Sequence, residues 1–170
     1  PILVASTRFN NSKYFEMKSR SDISRQEIDQ IINGSVVCHI SMVDNDGLPY
    51  VIPFNFGYKD GRLYIHCAPE GKKIEIWKQN PKVCIAFSTD YEMRIQNEKV
   101  ACSYSMRYRS VLVHGELIPV SEYEGKIEVL NIIMEKYSGK SSFSYNRPSV
   151  DNVKVFEIRI DRLEGRVYGY

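Results

Sequence analysis

Tyr64-Ile65-His66-Cys67-Ala68-Pro69-Glu70-Gly71-Lys72-Lys73-Ile74-Glu75-Ile76-Trp77, closed by Asn80-Pro81, is the stretch whose reading decides the fold. Leu63, Ile65 and Cys67 alternate with Tyr64 and His66, the period of a half-buried strand. Ala68-Pro69-Glu70-Gly71 is turn chemistry. Ile74 and Trp77 are three apart and share one face of a short helix. Pro81 ends that helix at about Asn80, because the residue before a proline is pushed out of the helical region.

The unusual feature is Lys72-Lys73 in the helix's first turn. Free N–H groups and the macrodipole already make that end positive, so each exposed cation there costs about 0.3–1 kcal/mol. A phosphate reverses the sign, since backbone N–H groups and lysines would then hold it together. Gly71, lacking a Cβ, lets a ligand approach the backbone. The same residues also read as two solvated lysines on a surface helix, because Gly-Lys-Lys is not a specific motif by itself. It is not a Walker loop, which needs another glycine spacing and a Ser or Thr after the lysine.

Upstream of this stretch, residues 1–21 have no sustained period and read as an extended arm offering Phe9, Tyr14, Phe15 and Met17 for packing. Ser24 and Glu27 form a capping box that opens a helix with Ile28, Ile31 and Ile32 as its apolar stripe, closed by Asn33-Gly34. Ser35–Val43 is a mostly apolar strand ending in Asp44-Asn45-Asp46-Gly47, a hairpin signal. Pro49–Tyr58 follows, with Ile52, Phe54, Phe56 and Tyr58 on the core face. Val51, Pro53, Asn55 and Gly57 face the other way and are small or unable to donate, which leaves room for a flat ligand. A barrel edge with a bulge at Pro53 accounts for the same pattern. Lys59-Asp60-Gly61 is a second hairpin turn.

Downstream, Val83, Ile85 and Phe87 alternate as a strand, and Asp90–Ala101 reads as a polar connection. Ser103–Val120 is a long strand bent at Gly115. Tyr108-Arg109-Ser110 near its start offers a ring, a cation and a hydroxyl to a polar planar ligand, or is simply a solvated strand end. Ser121 and Glu124 form a second capping box for a helix to about Tyr137, with Ile127, Leu130, Ile133 or Met134, and Tyr137 as its stripe. Ser138–Ser149 is a polar loop or lid, and Val153–Val167 a closing strand. At least six strands in hairpin order plus three helices imply a mainly β, antiparallel sheet, best closed as a barrel.

At 170 residues the chain is expected to form one domain. A net charge of +2 with interspersed signs argues for neither nucleic acid nor an anionic membrane as partner. Twelve tyrosines suit a β-rich protein. The four cysteines are far apart, without a Cys-x-x-Cys, and read as small reduced thiols. Adjacent Cys-His pairs on strands point to opposite faces, so no metal site is expected. The chain begins at Pro1 and carries neither a visible secretory segment nor an apolar run of membrane-spanning length, so a cytoplasmic protein is expected.

Three segments together carry a resemblance: Gly47-Leu48-Pro49-Tyr50-Val51-Ile52-Pro53-Phe54-Asn55-Phe56-Gly57-Tyr58, then Leu63 to Lys73, then Asn80-Pro81-Lys82-Val83-Cys84. They resemble the pyridoxamine 5′-phosphate oxidase-like FMN-binding split barrels, and among these the nitroimidazole-resistance (Nim-type) branch. The first helix and Ser110-Val111-Leu112-Val113-His114-Gly115 extend the likeness over roughly residues 20–137. The resemblance implies an antiparallel six-stranded split β-barrel with flanking helices, a homodimer, and FMN in grooves at the dimer interface. It puts Lys72 and Lys73, with Gly71, at the FMN phosphate, and His66, Cys67 and Ala68 along the phosphate and ribityl chain. Ile52, Pro53, Phe54 and Asn55 correspond to the strand whose backbone runs along the isoalloxazine ring. Ser110 and Arg109 correspond to contacts made across the interface. Asn55 stands where the true oxidases carry a strand lysine, and the tail Arg159–Arg166 lacks their closing motif. Oxidation of vitamin B6 is therefore not expected.

The implied activity is a flavin-dependent oxidoreductase, a nitroreductase acting on small electrophiles, with His66 as candidate proton donor or ring contact. His66 as a mere hydrogen-bond donor on the phosphate side is the competing role. A non-catalytic flavin-binding or redox-sensing module, and a haem-handling split barrel using His39, His66 or His114 as axial ligand, are the alternatives.

Overall fold

The computed structural model describes residues 19–170. The expected arm, residues 1–21, lies outside them except for its last three residues. Two of these, Ser19–Arg20 (β1), pair with Tyr168 and Val167 at the far end of the chain. The first helix, Arg25–Gly34 (α1), carries the full capping box: Ser24 Oγ accepts from Glu27 N–H, and the Glu27 carboxylate accepts from Ser24 N–H. Ile28, Ile31 and Ile32 are its buried residues. Its end needs no left-handed glycine, because Ser35 in extended conformation donates to Ile31 O and Ile32 O.

Cys38–Val43 (β2) and Pro49–Phe54 (β3) form the expected hairpin. Phe56–Lys59 (β4) and Arg62–Cys67 (β5) form the next, across Asp60 and Gly61 with φ of 50° and 74°. Two consecutive positive φ values make the turn whose twist matches the flanking strands. Then come the helix Lys72–Gln79 (α2), the long strands Lys82–Ile95 (β6) and Tyr104–Pro119 (β7), the helix Tyr123–Ser138 (α3), the short helix Arg147–Asp151 (α4) and Lys154–Tyr168 (β8). No helix among the described residues is long and apolar enough to cross a membrane.

The sheet order is β3-β2-β6-β7-β8-β5-β4, with β1 beside β8. Every pairing is antiparallel. β3 and β4 stand at opposite ends of this order, yet only Asn55 separates them in the chain. One run therefore pairs with β2 through its first half and with β5 through its second, and the sheet curls round on itself. The six expected strands are β2, this divided run, β5, β6, β7 and β8. Eight are present among the described residues because Asn55 divides one strand and β1 adds two residues. The interruption is not a bulge at Pro53, which sits in register opposite His39.

Three further expectations are corrected. Residues from Asp90 onward are not a loop: β6 continues to Ile95, paired with β7, after an irregularity between Thr89 and Glu92. Their side chains are mostly exposed on both faces, so no apolar alternation marks the strand. Ser121 and Glu124 make no capping box; α3 starts later, behind Glu122, without a side-chain cap. Its deepest residues are Val129 and Ile133, while Tyr137 stays 40% exposed. The bend at Gly115 is present as a register shift, where a Cβ would meet Arg159 O at 2.3 Å.

Inside the curl, Ile40, Phe56, Leu63, Ile65, Ile85, Phe87, Val111 and Val113 are fully buried. A smaller cluster, Tyr64, Val129, Ile133 and Val155, joins α3 to the outer side of β5 and β8. α3 also repairs the interrupted run. Phe56 N–H donates to Tyr137 Oη at 3.1 Å, and that hydroxyl donates to Val36 O at 2.8 Å. Lys136 Nζ lies 4.4 Å from the Phe56 ring and donates to Asn33 O at the end of α1. Tyr137→Phe is expected to lower stability by about 1–3 kcal/mol, because Phe56 N–H loses its acceptor in a buried setting. A denaturant midpoint shifted down at constant slope is the reading; an unchanged midpoint would mean that water replaces the hydroxyl.

Candidate functional site

The free edge of β3 is the first component of the site. Being last in the sheet order, β3 pairs only with β2 among the described residues, so its outer backbone groups over Pro49–Phe54 have no strand partner among them. Such an edge binds another strand or a ligand rich in donors and acceptors. Ile52 packs against the core and Phe54 is buried, its ring 6.0 Å from Trp77. Pro53 and Asn55 are exposed. The backbone and the two outward side chains, not Ile52 and Phe54, are what this strand offers.

Facing that edge is the end of β5 and the start of α2. Cys67 is buried in the main core, whereas His66 points the other way, opposite Val155 of β8. The β4–β5 register pairs Phe56 with Ile65, which brings Asn55 to the level of His66. His66 Nδ1 is buried without a hydrogen-bond partner among the described residues. Burial lowers the His66 pKa below its ordinary value, so the ring is neutral at pH 7. A neutral imidazole with an unmatched buried nitrogen can give or take one hydrogen bond from a guest.

Ala68 leads through an exposed turn to Gly71, the N-cap of α2, with φ of 111°. An L side chain is strained there, and α2 has no side-chain cap. Its first-turn N–H groups are thus open to an anion. Lys73 Nζ lies 3.9 Å from where a Gly71 Cβ would be. Lys72 reaches across the gap instead: its Nζ is 2.9 Å from Asp44 Oδ2 and 5.0 Å from the centre of the Tyr50 ring. Asp44 and Tyr50 belong to the β2–β3 hairpin, so Lys72 ties α2 to the strand with the free edge. Nothing in Asp44-Asn45-Asp46-Gly47 beyond its turn chemistry could have signalled that pairing, which is non-local.

The Lys72 contacts with Asp44 and Tyr50 and the Phe54–Trp77 ring contact bring the start of α2 beside the β2–β3 hairpin. Arg109 and Ser110 lie apart from that contact. Ser110 pairs with Ser88 on β6, two residues beyond the Ala86–His39 level, whereas Lys72 is anchored at Asp44. That separates them by roughly 20 Å along β2. The two neighbours also point to opposite faces. The Arg109 guanidinium is engaged by Asp90 at 2.7 Å and lies 4.4 Å from the Tyr170 ring. Ser110 opens with Tyr108, Leu112 and Arg166 into a separate groove of about 750 Å³.

Comparison with known proteins agrees with this fold. The family model described as pyridoxamine 5′-phosphate oxidase matches residues 24–167. A crystal structure of a candidate 5-nitroimidazole antibiotic resistance protein from Bacteroides thetaiotaomicron is 39% identical, over 90% of this chain and 89% of that one, with a TM-score of 0.79. An FAD and haem binding protein from Mycobacterium smegmatis has a TM-score of 0.76 at 16% identity, over 90% and 74% of the two chains. The flavocytochrome Anf3 from Azotobacter vinelandii has a TM-score of 0.72 at 18% identity, over 88% and 68%. The last two likenesses are of fold alone. No curated protein sequence matches. With a family model matching residues 24–167 and a 39% identical structure beside it, the chain belongs to the pyridoxamine 5′-phosphate oxidase family, on the side of its nitroimidazole-resistance branch.

Proposed function

We propose that this chain is an FMN-binding split-barrel flavoprotein, a homodimer that works as a flavin-dependent oxidoreductase on small electrophiles such as nitro-aromatics. The observation that carries the reading is the uncapped start of α2, with Gly71 bare and Lys73 beside it, facing the unpaired edge of β3. That juxtaposition suits a molecule with an anionic tail and a flat, hydrogen-bonding ring. The buried, unpartnered Nδ1 of His66 beside the same cleft fits such a guest as well.

When bound, FMN supplies the electron-transfer chemistry, and the protein supplies binding and orientation. Gly71 and the first turn of α2 would hold the phosphate, the edge of β3 from Ile52 to Asn55 would lie along the ring, and Ala68 with the backbone at Cys67 would wall the chain between them. Neutral His66 holds or passes a proton at Nδ1. In the proposed dimer, one subunit's cleft would be completed by the other's Ser110 groove.

The first test is purification from the native host or a flavin-replete one, with mass spectrometry of the released small molecule. FMN is the expected mass. FAD would retain a flavin and overturn the choice of FMN, a Soret band would favour haem, and protein that neither carries nor binds flavin overturns the reading. Anaerobic reduction followed by a nitroimidazole should give reoxidation faster than free reduced FMN. An equal rate would favour the non-catalytic module.

His66 adds a pH signature. Its folded pKa is depressed, so as pH falls below about 6.5 the unfolded chain takes up a proton that the folded ring resists, and stability declines. The imidazole resonance should titrate below that value in flavin-free protein, and His66→Asn should remove part of the decline. A resonance titrating at 6.5 or above would contradict the buried, neutral ring.

A further inference from the structure

We propose a second small-molecule site, independent of the flavin reading: the groove between α2 and the neighbouring ends of β7 and β8 takes a small aryl carboxylate. The groove has a volume of about 360 Å³. Small-molecule pockets run from roughly 300 to 1,000 Å³. Its buried walls are Ile74, Trp77, Leu117 and Phe156, each at most 9% exposed. The Trp77 and Phe156 rings meet edge to face with their centres 5.4 Å apart. A third ring can extend such a pair. None of residues 52–55, 66–68 or 71–73 lines this groove.

The polar side-chain groups around it are all donors. Trp77 is 6% exposed, and its indole Nε1–H is buried without an acceptor among the described residues. An indole nitrogen can only donate. A buried donor left unmatched costs stability until a partner is supplied. Lys78 and Lys154 also line the groove, and an ammonium likewise only donates. Lys78 meets Glu75 in an exposed pair at 2.9 Å, whereas Lys154 forms no ion pair among the described residues. Pro81 and Pro119 bring no N–H, and the Pro81 carbonyl already accepts from Leu117 N–H at 3.0 Å. No carboxylate among the described residues lines the groove. Donors and positive charge around an aromatic floor select a guest that accepts, is negative and presents a ring. A carboxylate meets the first two conditions and a phenyl group the third.

Trp77 is the only tryptophan of the chain, so its emission and its single indole N–H resonance report on this groove. The test titrates the purified protein with 3-phenylpropionate and with 3-phenylpropanol, its uncharged counterpart. A saturable change in Trp77 emission is expected, with the indole resonance moving downfield as the N–H gains an acceptor. The acid should bind about tenfold more tightly than the alcohol, the scale of one charge-assisted contact. Lys154→Met keeps the apolar stem and should remove most of that advantage, with the alcohol within about twofold of its original affinity. No saturation, an indole resonance that stays fixed at saturation, equal affinity for acid and alcohol, or an acid affinity unaltered by Lys154→Met overturns the proposal. Neither readout involves flavin, so FMN binding measured on the same protein stands or falls separately.

Discussion

The structure depends on a single backbone constraint at Asn55. One continuous run must serve two neighbours, β2 before this residue and β5 after it, and the switch interrupts the ladder. A buried N–H left over by such a switch must find an acceptor. Phe56 N–H finds the Tyr137 hydroxyl, so a helix far along the chain completes a hydrogen bond that the sheet cannot make. The same helix end holds the Phe56 ring under Lys136 and secures the carbonyl of Asn33. The curl, the seating of α3 and the end of α1 all meet at this one residue.

The switch also creates the cleft. Because the run leaves β2 for β5, the outer edge of β3 stays unpaired and confronts the end of β5 and the start of α2. The sequence 66–73 then supplies, in order, an outward imidazole, a buried thiol, a turn, a bare glycine and two lysines. Their division of labour is electrostatic. A lysine with a shielded carboxylate in reach serves as a cross-link, whereas one without such a partner keeps its charge available. Proximity in sequence did not make Lys72 and Lys73 equivalent.

Much of this was legible in the residues. The Ser24–Glu27 cap, the alternation through Leu63–Cys67 and Val83–Phe87, the turns at Asp44–Gly47 and Asp60-Gly61, and the start and stop of α2 follow local rules. What was missed is non-local or weakly patterned. Beyond Thr89 the two strands leave the barrel and both faces meet solvent, so burial cannot impose alternation on Asp90–Ile95. α3 is apolar on several sides, and only the sheet beneath decides that Val129 rather than Ile127 goes deepest. The capping pattern at Ser121 fails because Glu122 takes the cap position. In the candidate site, the family resemblance points to residues 52–55 and 66–73 together, and the contact between α2 and the β2–β3 hairpin is what the structure adds. The Asp44 partner of Lys72 and the remoteness of Ser110 are non-local and leave no mark in the residues around them.

All four thiols are free: Cys38 and Cys67 are buried, Cys84 is half-covered and Cys102 is exposed. Burial drives the Cys38 pKa up to about 12 and raises those of Cys67 and Cys84, so these three are poor nucleophiles at neutral pH. No covalent cross-link holds the fold, and none can be severed by electrons. The scaffold is therefore redox-silent: a reductant strong enough to charge an electron-carrying guest would leave every bond of its host unchanged.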